Sequence, residues 1–187
     1  MPKTTVPKEL REILEPETVA AMIEKAPRPM DKALIAVYYI FGVRRNEPLN
    51  MRKDNLWMDS SWLYFRVKRE KVPKGKVLPR IDTLKVSLDT PFLHYLVGYW
   101  ATLEGDIMFN YHPNPRTASC YAYNMIKKAD NNVWTHLFRH TRAERFRAAG
   151  FSDAELMAWF GWTDARTPSN YTHPSTKTIE DMGSAIE

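Results

Sequence analysis

The sequence predicts a mainly α-helical domain with a small antiparallel three-stranded β-sheet. Apolar residues recur at helical spacing in most segments. One stretch, residues 56–88, shows short alternating runs broken by turn residues instead. Proline, glycine and short polar residues fall where helices would start and stop. The chain has 187 residues, 44% of them apolar, which suffices for one domain with a sizeable core. A net charge of +5 is moderately basic, compatible with a nucleic-acid partner without specifying one. The single cysteine, Cys120, excludes an internal disulfide and a cysteine-rich zinc site, and suits a reducing compartment. No apolar run reaches membrane-spanning length, and the N-terminus does not read as a secretory signal. A soluble protein of the cytoplasm is expected.

In order, residues 1–15 form a polar arm with prolines at 2 and 7 and one helical turn at Lys8–Leu14. A helix from Pro16 to Ala26 gathers Val19, Met22 and Ile23 on one side, and Ala26-Pro27-Arg28-Pro29 breaks it. The next helix, Met30–Phe41, is apolar enough to be buried, and Gly42 ends it. A short helix is expected over Glu47–Lys53, with Pro48 in its first turn. Strands follow at Leu56–Met58, Trp62–Val67 and Thr83–Leu88, the last two joined by the basic loop Lys68–Lys76. Thr90-Pro91 reads as cap and first-turn proline of a helix to Leu103. Thr117 or Ser119 starts another, ending near Ala129. Thr135 or Asn132 can cap a helix from His136 to Gly150. Ser152-Asp153-Ala154-Glu155 is a capping box for a helix that stops at Gly161. A last short helix is expected near Thr178–Ile186.

The chemistry concentrates between Trp134 and Pro174. His136 and Arg139, three apart, share one face at a helix N-terminus, an end that favours anions. Arg139 can clamp a phosphate with two planar donors, and His136 can serve as a base or neutral donor. Gly161-Trp162 follows the next helix, and Tyr171 lies nine residues beyond Trp162. A tyrosine phenol titrates near ~10, so a nucleophilic Tyr171 needs a proton acceptor and cations at the phosphate.

His136-x-x-Arg139-His140, Gly161-Trp162 and Tyr171-Thr172-His173 resemble the C-terminal signature of the tyrosine recombinases, or phage integrases. Gly42-Val43-Arg44-Arg45-Asn46-Glu47 resembles the family's earlier arginine motif. The resemblance runs from about Leu14 to Tyr171. It implies the tyrosine recombinase catalytic-domain fold over residues 16–187, with the family's N-terminal core-binding domain absent. It further implies a DNA strand transferase that cuts and rejoins DNA through a 3′-phosphotyrosyl intermediate, using neither metal nor ATP. Its partners would be double-stranded DNA and, on that DNA, further copies forming a dimer or tetramer. The setting would be the nucleoid of a cell hosting a virus or mobile genetic element.

By the same resemblance, Tyr171 is the nucleophile, Arg44 and Arg139 neutralise the phosphate, and His136 helps to take the tyrosine proton. A lysine in the loop after the second strand is the general acid: Lys71, with Lys68 or Lys74 as alternatives. Trp162 stands where many members carry histidine; its indole N–H can donate to phosphate but cannot shuttle a proton. Glu47, His140 and His173 support the site.

Two other classes compete. A type IB topoisomerase would share the arginines, lysine and tyrosine. A non-catalytic helix-turn-helix protein would use residues 147–156, but that second helix offers few polar readers and leaves Arg44 and Tyr171 unexplained. A zinc site at His136 and His140 lacks an adjacent glutamate and a third ligand.

Overall fold

A computed structural model describes residues 13–70 and 79–168. Among the described residues are six α-helices and one three-stranded antiparallel sheet: α1 (Pro16–Lys25), α2 (Pro29–Phe41), β1 (Leu56–Met58), β2 (Trp62–Lys68), β3 (Ile81–Ser87), α3 (Leu93–Thr102), α4 (Pro115–Ala129), α5 (Thr135–Ala148) and α6 (Asp153–Phe160). The mixed, mainly α architecture is the expected one. No helix among the described residues is long and apolar enough to cross a membrane.

The core is built on α2. Every residue from Ala33 to Phe41 is buried, so this helix is surrounded rather than laid on a surface. Tyr38 stacks on Phe138 of α5 at 5.9 Å between ring centroids, and Phe41 meets Phe65 of β2 edge-on at 5.1 Å. The Tyr38 hydroxyl donates to the Arg45 carbonyl at 2.6 Å. The chain joins this packing at Leu14, whose amide donates to Thr141 Oγ1 at 2.9 Å across 127 residues.

Gly42 ends α2 in the left-handed conformation, φ +60°. A β-carbon there would lie 2.9 Å from the Phe160 ring and 3.0 Å from Arg142 Cβ, so α5 and α6 approach α2 where a side chain is missing. In the sheet, order β1-β2-β3, Leu56, Leu63, Phe65, Val67 and Leu84 are buried. Strand alternation leaves Trp62, Arg66 and Lys68 on the exposed face.

Five elements differ from the sequence expectation by more than one residue or in their cap. α5 runs over Thr135–Ala148 with Trp134 at its cap position and no side-chain cap, not over His136–Gly150 with Thr135 or Asn132 as cap. The helix expected over Glu47–Lys53 is two 3-10 turns, Pro48–Asn50 and Lys53–Asn55. Between them Met51 is extended, and the segment pairs with residues 106–108 through Met108 N–H to Met51 O (2.9 Å) and Lys53 N–H to Asp106 O (2.7 Å). A long-range pairing has displaced a local helix. α3 begins at Leu93, because Thr90 and Pro91 form a turn closed by Leu93 N–H to Thr90 O at 3.1 Å. α4 begins at Pro115 rather than at Thr117 or Ser119. Asn114 Oδ1 accepts from the Arg116 and Thr117 amides, and Pro115 occupies the first helical position, where it has no amide to lose. β3 runs over Ile81–Ser87 instead of Thr83–Leu88, set by the pairing of Lys68 with Ile81. The helical turn expected at Lys8–Leu14 and the helix near Thr178–Ile186 lie largely or wholly outside the described residues.

α6 has the expected capping box. The Glu155 amide donates to Ser152 Oγ, and Glu155 Oε2 accepts from the Ser152 amide at 2.8 Å. Leu156 and Phe160 of this helix are buried, with Ala143 and Trp162 beside them.

Candidate active site

The loop that leaves α2 carries Arg44 and turns back on Glu47. The Glu47 carboxylate is 2% exposed. Its Oε2 accepts the Arg44 amide at 2.7 Å and its Oε1 accepts Arg44 Nη1 at 3.0 Å. One carboxylate thus holds both the backbone and the guanidinium of Arg44. Arg44 itself is only partly buried, so its charge is presented at the surface from a fixed base.

α5 brings the second group. Its first turn carries His136, which is exposed, while Arg139 one turn on is 1% exposed. Arg139 donates through Nη1 to the Gly42 carbonyl at 3.0 Å and through Nη2 to the Phe160 carbonyl at 2.8 Å. Both acceptors lie at helix C-terminal ends, of α2 and α6, where carbonyls lack intrahelical partners and the helix dipole favours a cation. The guanidinium also lies 4.8 Å from the centroid of Phe160 and 5.5 Å from that of Trp162. Two carbonyl bonds and two flanking rings fix the plane of Arg139. Trp162 is 6% exposed and stacks on Phe160 at 4.8 Å.

The buried side of α5 continues with His140, whose Nδ1 lies 3.9 Å from Glu144 Oε1. Arg142 donates twice to the Tyr39 carbonyl, and Trp159 Nε1 donates to the Phe41 carbonyl at 3.0 Å. The C-terminal carbonyls of α2 are therefore held by side chains from α5 and α6. These bonds bring the Arg44 loop, the His136–Arg139 turn and the Gly161-Trp162 turn together, although they are separated by up to 118 residues in sequence.

Residues 12–178 match the sequence profile described as Phage integrase family. The chain belongs to the phage integrase family. Among solved structures, the phage integrase fold recurs in XerA recombinase, at 21% identity and a TM-score of 0.69, over 97% of this chain and 66% of that one. XerH recombinase bound to its difH substrate gives 16% identity and a TM-score of 0.66, over 95% of this chain and 54% of that one. The Tn1549 transposon integrase bound to transposon right-end DNA gives 14% identity and a TM-score of 0.61, over 100% of this chain and 68% of that one. This chain thus spans between about half and two thirds of the length of these tyrosine recombinases. No curated protein sequence matches it.

Within this phage integrase fold, the predicted site residues fall into three groups. Arg44, Glu47, Arg139 and Trp162 are linked through the contacts just described, while His136 stands exposed in the first turn of α5 and His140 lies on its buried side near Glu144. Lys68 ends β2 on the exposed face of the strand, opposite Ile81. Lys71, Lys74, Tyr171 and His173 lie outside the described residues. Sequence reasoning passed over Arg69, which sat in a run of charges that reads as solvated. It is 2% exposed, with Nε donating to Asp82 Oδ2 at 2.7 Å, Nη1 to Glu47 Oε2 at 3.5 Å and Nη2 to the Trp159 carbonyl. The period of two from Leu63 through Phe65 and Val67 was the available signal: it continues to Arg69, not to Lys68.

Proposed function

We propose that this chain is the catalytic domain of a site-specific DNA recombinase, which cuts and rejoins duplex DNA through a 3′-phosphotyrosyl intermediate. The observation that carries the reading is the bond from Arg139 to the Gly42 carbonyl. It couples the two arginine motifs of the phage integrase family within one packed unit. Arg44 then stands on Glu47, two residues along the chain from the Gly42 carbonyl that Arg139 holds, and in this reading the two guanidinium groups share the charge of one phosphodiester.

In the reaction, Tyr171 Oη forms a bond to phosphorus as the bond from phosphorus to the 5′ oxygen breaks. The tyrosine proton leaves through His136, and the departing 5′ oxygen gains a proton from the hairpin lysine, Lys71 in this reading and Lys68 or Lys74 otherwise. Trp162 backs Arg139 and offers its indole N–H to a phosphate oxygen. Glu47 and His140 hold the arginines and α5 in place; His173 is assigned the same supporting part. Attack by a second 5′ hydroxyl on the phosphotyrosine reverses the step and rejoins the strand. The DNA-bound complexes of XerH and of the Tn1549 integrase, which share this fold, support DNA as the substrate. Self-association on DNA into a dimer or tetramer belongs to the same reading.

The test is a duplex nicked just beyond the scissile phosphate, so that the cut fragment diffuses away and the covalent adduct accumulates. Incubated with EDTA and run on a denaturing gel, the wild type is expected to give a protein–DNA adduct that Tyr171→Phe does not. Intact DNA binding without any adduct would sink the catalytic reading.

A further inference from the structure

We propose that Arg69 is a positioning residue for strand cleavage, a role that rests on the recombinase reading above. Its buried guanidinium locks Glu47, and through Glu47 the phosphate-binding Arg44, to the Trp159–Gly161 turn.

Arg69 is one of the largest fully buried side chains of the molecule. A guanidinium is a poor choice for filling space, because its desolvation is costly and a well-packed apolar group is often as stable. The pattern of its partners gives the reason. Nη1 reaches the carboxylate that holds both the amide and the guanidinium of Arg44. Nη2 reaches the Trp159 carbonyl, next in the chain to the Phe160 carbonyl that Arg139 holds. Nε is fixed from β3 by Asp82, and the Arg69 amide extends the ladder to the Arg80 carbonyl at 2.8 Å.

These contacts close a ring. Arg139 joins Gly42 to Phe160, Arg69 joins Glu47 to Trp159, and the two short chain segments complete it. The ring is tight. A β-carbon on Gly161 would lie 2.7 Å from Arg69 Nε, so the turn after α6 closes directly over this guanidinium. The planar fork of arginine spans three acceptors at fixed angles, which a lysine ammonium cannot reproduce. All three nitrogens of the Arg69 guanidinium are taken up by protein acceptors, so its influence on the reaction passes through Glu47 to Arg44.

The experiment compares wild type, Arg44→Ala, Arg69→Met and Arg69→Lys on two nicked duplexes. One carries an ordinary scissile phosphate. In the other a methyl group replaces a non-bridging oxygen, so the linkage is neutral and has less need of a cationic clamp. Cooperative urea unfolding identifies the variants that fold, and the comparison uses those. On the ordinary duplex both Arg69 variants are expected to cleave about 100-fold more slowly than wild type, the scale of losing one transition-state donor. On the neutral duplex the deficit should shrink to about threefold, as it should for Arg44→Ala, because what Arg69 positions is then dispensable. A merely structural defect would slow both duplexes alike, and that result would overturn the inference. So would ordinary cleavage by a folded Arg69→Met, or failure of both variants to fold. If wild type itself forms no adduct, the recombinase reading falls and takes this inference with it; a reactive wild type beside reactive Arg69 variants overturns the inference alone.

Discussion

At Glu144, burial sets a pH dependence. The side chain is 7% exposed on the inner side of α5, one turn beyond His140, and burial pushes its pKa up to about 7 against the opposing charge of Arg147. The folded state therefore keeps a proton that the unfolded chain, titrating near 4.5, has already lost. Stability should fall as pH rises from about 4.5 through about 7 and then level off. Urea unfolding at pH 5 and pH 8 should show wild type losing on the order of 2 kcal/mol more than Glu144→Gln across that interval. Parallel losses in both proteins would remove Glu144 as the cause. Arg69 makes a complementary point at the same scale. It stands beside Lys68 in a charged run, yet strand parity separates them completely, Lys68 outward and Arg69 into the core.

At the scale of single elements, the helices that carry their own stop signals were readable. α2 stops at Gly42, and α6 starts at Ser152 and stops at Gly161, as the capping rules require. The α6 box also leaves an electrostatic trace: hydrogen bonds from the Ser152 hydroxyl and amide hold the Glu155 carboxyl below its usual range. Ser152→Ala should raise the Glu155 pKa in a carboxyl-detected NMR titration. It should also lower the urea midpoint by an amount equivalent to about 1 kcal/mol of lost cap. An unmoved Glu155 pKa would mean that the box does not hold in solution. Local rules failed where distant chain intervened. The 47–53 segment carries a helix-compatible proline, but pairing with residues 106–108 draws it into an extended bend. The start of α4 lies upstream of the expected Thr117 or Ser119 for a different reason: Asn114 and Pro115 make a good cap and first helical residue.

At the scale of the whole molecule, a net charge of +5 accompanies a fold shared with DNA-bound recombinases. If DNA binding rests on phosphate contacts, the affinity must fall steeply with salt. For about four contacts, Kd should rise about 100-fold between 50 and 200 mM salt. Fluorescence anisotropy with Tyr171→Phe, which removes the proposed nucleophile, would measure this. A flat salt response would argue against the phosphate-clamp role of Arg44 and Arg139.

Sequence alone supplied the residue types, their order and their local geometry. The two arginine motifs, the Gly-Trp turn and the capped helices are all short-range patterns, written in spacing and in backbone preference, and they led directly to the phage integrase family. Tertiary structure alone chose which charges face inward and what each one holds. Glu47 under Arg44, Arg139 bolted to the carbonyl ends of α2 and α6, and Arg69 beneath Gly161 are contacts between segments far apart in the chain. A buried guanidinium must find its acceptors wherever packing brings them, because leaving them unmatched costs more than the surrounding fold can spare. No local pattern encodes where those acceptors will be.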